Sequence, residues 1–169
     1  MLHFKLETAP YFLTGAIYQK RKLLQDADLK QLLLDKIREK TSQFGWALEH
    51  WVILDNHYHL MLHSRHGKDS TAMMRQINGG TAGAIAAATA CQPPVWWNYW
   101  DYCPRDERDY TVRVDYLLYN PVRHGYVGGL KDYPQSSFHG LFEALGMERL
   151  ARQFRDYPEF RTLDVEDGF

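Results

Sequence analysis

The sequence predicts an α+β layer fold, a largely antiparallel sheet with helices packed on one face. Segments rich in β-branched and aromatic residues alternate with segments whose apolar residues recur at helical spacing, in the order strand, helix, strand, strand, helix, strand, helix. The second and third strands are separated only by Asp55-Asn56, a pair that favours a tight turn and therefore an antiparallel hairpin. At 169 residues the chain can bury a full core without disulfide or metal staples.

The first strand is "YFLTGAIYQ", Tyr11 to Gln19, and the cluster Lys20, Arg21 and Lys22 after it reads as a basic turn able to touch phosphate. Leu29, Leu32, Leu33 and Ile37 mark an amphipathic helix that starts at Asp26 and ends near Gly45. "WALEHWVIL" and "HYHLMLH" supply the hairpin. Ser70 is a plausible N-cap for a helix holding Met73, Met74 and Ile77, with Gly79, Gly80 and Gly83 weakening its middle. "VWWNYWDY" has strong β character, and Asp109 to Tyr119 reads as a helix stopped by Pro121.

Cys91 and Cys103 stand far apart, which suggests neither a disulfide framework nor a zinc ribbon and fits a reducing compartment. No basic-then-apolar leader opens the chain and no apolar run approaches a membrane span, so a cytoplasmic protein is expected. The net charge of −1 gives no general support for nucleic-acid binding, but its distribution is uneven. Residues 1–130 hold 15 Lys+Arg against 13 Asp+Glu, net +2, and residues 131–169 hold 5 against 8, net −3.

Chemistry concentrates at two places. His57 and His59 project to one face of a strand, about 6.6 Å apart along it, close enough for both rings to reach one ion. Satisfied histidines on a half-exposed strand are the plainer reading, since two ligands alone make a poor metal site. In "DYLLYNPVRHGYV", Tyr116 projects away from the stripe of Val114, Leu117 and Leu118, and Asn120 lies four residues on along the same edge with a carbonyl oxygen to offer. An amphipathic helix with a surface tyrosine and an Asn-Pro stop explains the same spacing.

Together, "YFLTGAIYQKRKLL", "WVILDNHYHLML", "VWWNYWDYCPRDERDYTVRVDYLLYNPVRHGYV" and "KDYPQSSFHG" resemble the REP-associated tyrosine transposases, a branch of the single-tyrosine HUH transposases of bacterial insertion sequences. The resemblance spans most of residues 11–140 and implies a ferredoxin-like fold. It makes His57 and His59 metal ligands, Asn120 the third ligand and Tyr116 the nucleophile. It further implies a divalent metal, Mg2+ or Mn2+, and a 5′-phosphotyrosine intermediate. The substrate it implies is single-stranded DNA with imperfect palindromic hairpins, handled by a nucleoid-associated protein in the cytoplasm. A monomer is favoured over a homodimer. Asp55 stands where the family usually has proline, and Trp96-Trp97 where a Trp-Gln pair is common.

A transposase domain is accordingly expected over residues 1–145. Residues 146–169 would be an acidic tail, either a disordered solubilising segment or a regulator lying over the basic site. Arg105, Arg108, Arg113 and Arg123 flank the site as candidates for phosphate contacts. Trp96, Trp97, Tyr99, Trp100 and Tyr102 either pack the core or stack unpaired bases. A nucleotide hydrolase of the histidine-triad type needs a third alternating histidine where Met61 stands. A domesticated hairpin-binding protein without cleavage activity is the remaining alternative.

Overall fold

The computed structural model describes residues 8–165. Four strands, β1 (Pro10–Ile17), β2 (Ala47–Ile53), β3 (His57–His63) and β4 (Trp96–Tyr102), form one sheet in the order β2-β3-β1-β4, with every neighbouring pair antiparallel. Helices α1 (Ala27–Gln43) and α2 (Ser70–Thr89) connect β1 to β2 and β3 to β4. This βαββαβ connectivity and strand order are those of the ferredoxin-like fold. After β4 come α3 (Glu107–Arg123), α4 (Phe138–Leu145) and α5 (Met147–Asp156).

The α+β antiparallel class is the expected one, but the helices divide between two faces. Leu13, Tyr58, Leu60 and Leu62 point towards α1 and α2, whose Leu33, Ile37, Met73 and Ile77 complete one core. Phe12, Val52 and Met61 point the other way, into a second core closed by Val114, Leu117, Phe138, Leu150 and Phe160. The central strand β3 is buried from His57 to Leu62 on both faces, which is why it reads as a nearly continuous apolar run. Residues 147–161, anticipated as acidic tail, form α5 and a 3-10 turn at Pro158–Arg161 and join this second core. Leu150 and Phe154, four apart, supply the apolar stripe that the acidic composition masks. The last four residues of that tail lie outside the described residues.

Two helices differ from expectation. Residues Ser70–Thr89 make one continuous helix despite three glycines, because Met73, Met74, Ile77, Thr81 and Ile85 keep an unbroken buried stripe. Pro121 does not stop α3, which continues to Arg123. A proline removes a single N–H from the ladder, and here the helix resumes at once, with His124 N–H donating to Asn120 C=O at 3.0 Å. Asn120 therefore stays helical, one turn beyond Tyr116.

Side-chain caps fix the starts of α1 and α3. Asp26 accepts from the Asp28 amide at 2.7 Å and Asp106 from the Asp109 amide at 2.8 Å. Asp55, in place of the family's proline, holds Lys30 of α1 through a partly buried ion pair at 2.8 Å and so ties the hairpin turn to the helix. The Tyr-Pro-x-Ser-Ser segment closes the outer edge of β2. Ile53 N–H donates to Gln135 C=O at 3.0 Å, Ser137 N–H donates to Trp51 C=O at 2.9 Å, and Trp51 N–H donates to Ser137 Oγ at 2.9 Å. Tyr133 adds a hydroxyl donated to Ile53 C=O at 2.6 Å.

Candidate active site

The register that builds the sheet also builds the site. His57 and His59 alternate with Tyr58 and Leu60, so both imidazoles enter the face covered by α3, with ring centroids 5.0 Å apart. His57 Nε2 lies 3.2 Å from Asn120 Oδ1, and its Nδ1 lies 2.7 Å from Asn56 Oδ1. Asn56 directs its NH2 to Lys20 C=O at 3.2 Å, which fixes its oxygen towards the ring. His59 Nδ1 lies 2.8 Å from Thr14 Oγ1 on the neighbouring strand, and its ring stacks on Phe12 at 5.2 Å. Tyr116 stands 5.6 Å from His59 and 6.2 Å from Phe12, ring to ring.

Burial sets the charge state. Desolvation, with His124 adding like-charge repulsion, pushes His57 down to about 3, and desolvation holds His59 well below the ordinary histidine range. Both are neutral near pH 7 and keep a nitrogen lone pair. A neutral imidazole carries one N–H, and His57 spends it on Asn56 Oδ1. Its Nε2 is turned to the Asn120 carboxamide of α3, across the 3.2 Å contact. Asn120 Nδ2 is buried and has no hydrogen-bond partner among the described residues.

Comparison with known proteins gives the chain its family. A model for IS200-like transposases matches residues 10–102, which include β1, the histidine strand and β4. The REP-associated tyrosine transposase of Escherichia coli K12 is 27% identical over 137 residues, covering 80% of each chain. A Haemophilus influenzae protein assigned to the same group is 30% identical over 152 residues, covering 76% of this chain and 82% of its own. This chain belongs to the REP-associated tyrosine transposases. A solved member bound to a REP hairpin superposes with a TM-score of 0.69 at 25% identity, over 82% of each chain.

Within this transposase the predicted site residues fall into three groups. His57, His59, Tyr116 and Asn120 converge. Tyr116, expected to project away from the apolar stripe, is only 1% exposed, because α3 is enclosed by the sheet on one side and by the C-terminal helices on another. Arg123 is exposed, with its guanidinium 5.3 Å above the Tyr116 ring, and Lys20 and Lys22 are exposed beside the histidine strand. Lys22 lines a cleft of about 240 Å³ together with Asn56, His124 and Tyr126.

The other arginines are engaged elsewhere. Arg21 donates to the carbonyls of Tyr18, Gln92 and Pro94, clipping the loop before β4 to the turn after β1. Arg113 is buried, ion-paired to Asp109 at 3.2 Å and stacked 3.3 Å over Tyr102. Arg108 pairs with Glu159 and stacks on Tyr157 at 5.0 Å, tying α3 to the C-terminal turn. Arg105 is exposed but pairs with Asp109 at 3.2 Å. These four serve contacts within the protein, where the sequence showed only their charge.

His124 escaped the sequence reading. It packs against His57 at 5.2 Å and continues the spacing Tyr116, Asn120, His124 along one edge of α3. That i, i+4, i+8 series was visible, but the histidine lies outside the H-x-H strand. Among the described residues no three His, Cys, Asp or Glu side chains converge to enclose an ion, and the oxygen beside the histidine pair is that of Asn120. No described helix is long and apolar enough to cross a membrane.

Asp115, beside Tyr116 on α3, is fully buried and accepts from Gln153 of α5. Burial raises its carboxyl from 3.8 to about 7, against the smaller opposing effect of Gln153. The folded chain therefore takes up a proton between about pH 4 and pH 7, and this residue's contribution to stability is present below that window and lost as pH rises through it. Asp115→Asn should match wild type near pH 4 and exceed it at pH 8, by up to about 4 kcal/mol. Paired urea titrations check this difference; the buried neutral histidines, with their opposite slope, cancel between the two proteins.

Proposed function

We propose that this transposase cuts and rejoins single-stranded DNA at hairpin-bearing repeats, with Tyr116 as nucleophile and a divalent cation, Mg2+ or Mn2+, held by His57, His59 and Asn120. The observation that carries it is the convergence of His57 Nε2 and Asn120 Oδ1, 3.2 Å apart, beside His59 and the tyrosine. His57, His59 and Asn120 would hold the ion through two imidazole nitrogens and a carboxamide oxygen. Two neutral imidazoles and a carboxamide oxygen fit such a cation and favour manganese over magnesium. When bound, it would supply charge stabilisation at the scissile phosphate.

The protein's own groups do the rest. Tyr116 Oη attacks phosphorus, its proton passing to water, and the P–O3′ bond breaks with the 3′ oxygen taking up a proton. A 5′-phosphotyrosine and a 3′-hydroxyl result. Attack by a 3′-hydroxyl on that linkage reverses the step and rejoins strands without ATP. Arg123, Lys20 and Lys22 are placed to hold backbone phosphates. One chain contains all four central residues, so the scheme needs no second subunit. The substrate assignment is supported by the solved relative, whose bound ligand is a REP hairpin.

The test uses single-stranded oligonucleotides that carry an imperfect palindromic hairpin with unpaired flanks, incubated with protein and manganese and run on a denaturing gel. A covalent protein–DNA band that disappears with EDTA is expected. Hairpin binding with no band under any divalent ion would overturn the reading in favour of a non-cleaving binding protein.

A further inference from the structure

We propose that Trp97, Asn98 and Trp100 form a shelf on which unpaired nucleotides of the substrate strand lie beside the histidine–tyrosine site. This rests on the cleavage reading above and adds the path of the strand. Cross-strand partners share a face of a sheet. His57, Ala16 and Asn98 form one such row, and His59, Thr14 and Trp100 the next. Asn98 and Trp100 therefore stand on the histidine face, two strands away, roughly 10 Å. Only the short side chains of Ala16 and Thr14 lie between, and α3 crosses β2 and β3 on this face, meeting β4 at its Tyr102 end through Asp109 and Arg113.

A register shift at Ala16/Ile17 makes Trp97 the extra residue of a bulge, and its ring is 58% exposed, edge-on to Trp100 at 5.6 Å. Asn98 accepts from the Tyr99 amide at 2.9 Å through its oxygen, which leaves its NH2 to donate to a base edge. Because β4 runs antiparallel to β1, Trp97 sits at the end of the sheet from which Lys20 and Lys22 follow. Aromatic rings along an exposed edge, with Lys20 and Lys22 at one end, suit single-stranded DNA, whose bases can stack, and not a duplex stem, whose bases are already stacked.

Binding is measured with catalytically blocked Tyr116→Phe protein, so that cleavage plays no part. Two hairpin oligonucleotides are compared, one ending at the stem and one with unpaired nucleotides carrying 2-aminopurine. The flanked hairpin should bind more tightly, and Trp97→Ala and Trp100→Ala should each lower its affinity by about tenfold without changing stem-only binding. Trp100→Phe, which keeps a stacking ring, should restore most of the loss and guards against misfolding. Equal affinity for the two hairpins, or equal losses on both, would overturn the shelf. A protein that shows the flank-dependent loss but never forms the covalent band keeps the shelf and loses the cleavage scheme; the band without flank dependence does the reverse.

Discussion

Tyr116→Phe should eliminate the covalent DNA adduct, a loss of at least about a thousandfold, while folding and hairpin binding persist. The expectation is sharp because phenylalanine keeps every ring contact that positions α3. Phe12 and His59 still pack against the same ring, and the Arg123 guanidinium still lies over it. Only the hydroxyl that would attack phosphorus is gone. Tyr119→Phe is the matched control. Tyr119 faces Phe160 at 5.1 Å, on the side of α3 turned to the C-terminal segment, and its loss should leave the adduct yield unchanged. An adduct that survives Tyr116→Phe and vanishes with Tyr119→Phe would place the nucleophile one residue turn away and refute the assignment. With Tyr116 so deeply buried, DNA must shift neighbouring side chains to reach it, so adduct formation should be slower than hairpin binding in stopped-flow traces.

Gly15→Val should abolish stable folding or cost about 3 kcal/mol or more, as overpacking of a tight core does. Gly15 occupies the middle of β1 directly opposite Tyr58. A Cβ there would come within 2.3 Å of the Tyr58 ring, whose hydroxyl end lies against the glycine. The ring has nowhere to retreat. It is fully buried, edge-on to Trp96 at 5.5 Å, and its hydroxyl donates to Asn78 of α2 at 2.8 Å. Moving it would break that bond and push α2 off the sheet. Chemical denaturation of the variant beside wild type measures the loss; a change below about 0.5 kcal/mol would show that the ring can repack.

Much of the architecture was legible because local signals and global fold agree. The leucine periodicity of α1, the Asp-Asn turn and the aromatic run of β4 each mark an element where one exists. The placement of α3 was not legible. A helical wheel assigns one apolar stripe to one core, but α3 packs against the sheet and against α5, so Tyr116 and Asp115 are buried outside the stripe of Leu117 and Leu118. Arginine chemistry was hidden for a different reason. Composition reveals a positive charge and not its partner, and the partners of Arg21 and Arg108 are distant in sequence. At the candidate site the H-x-H alternation and the Tyr-Asn spacing identified four residues that the fold brings together, whereas His124, in step with Tyr116 and Asn120, reveals its contact with His57 only in the fold.

The segment laid along β2 has a consequence for how the molecule behaves in company. A sheet grows by offering unpaired N–H and C=O groups to a further strand. On the β2 side Gln135 and Ser137 answer the groups of Trp51 and Ile53, so the end of that strand is covered from within the same chain. On the opposite flank, β4 is interrupted by the bulge at Trp97 and carries Asp101, two devices that discourage a flat partner. Both flanks of the four-stranded sheet thus carry features that discourage the addition of a further strand.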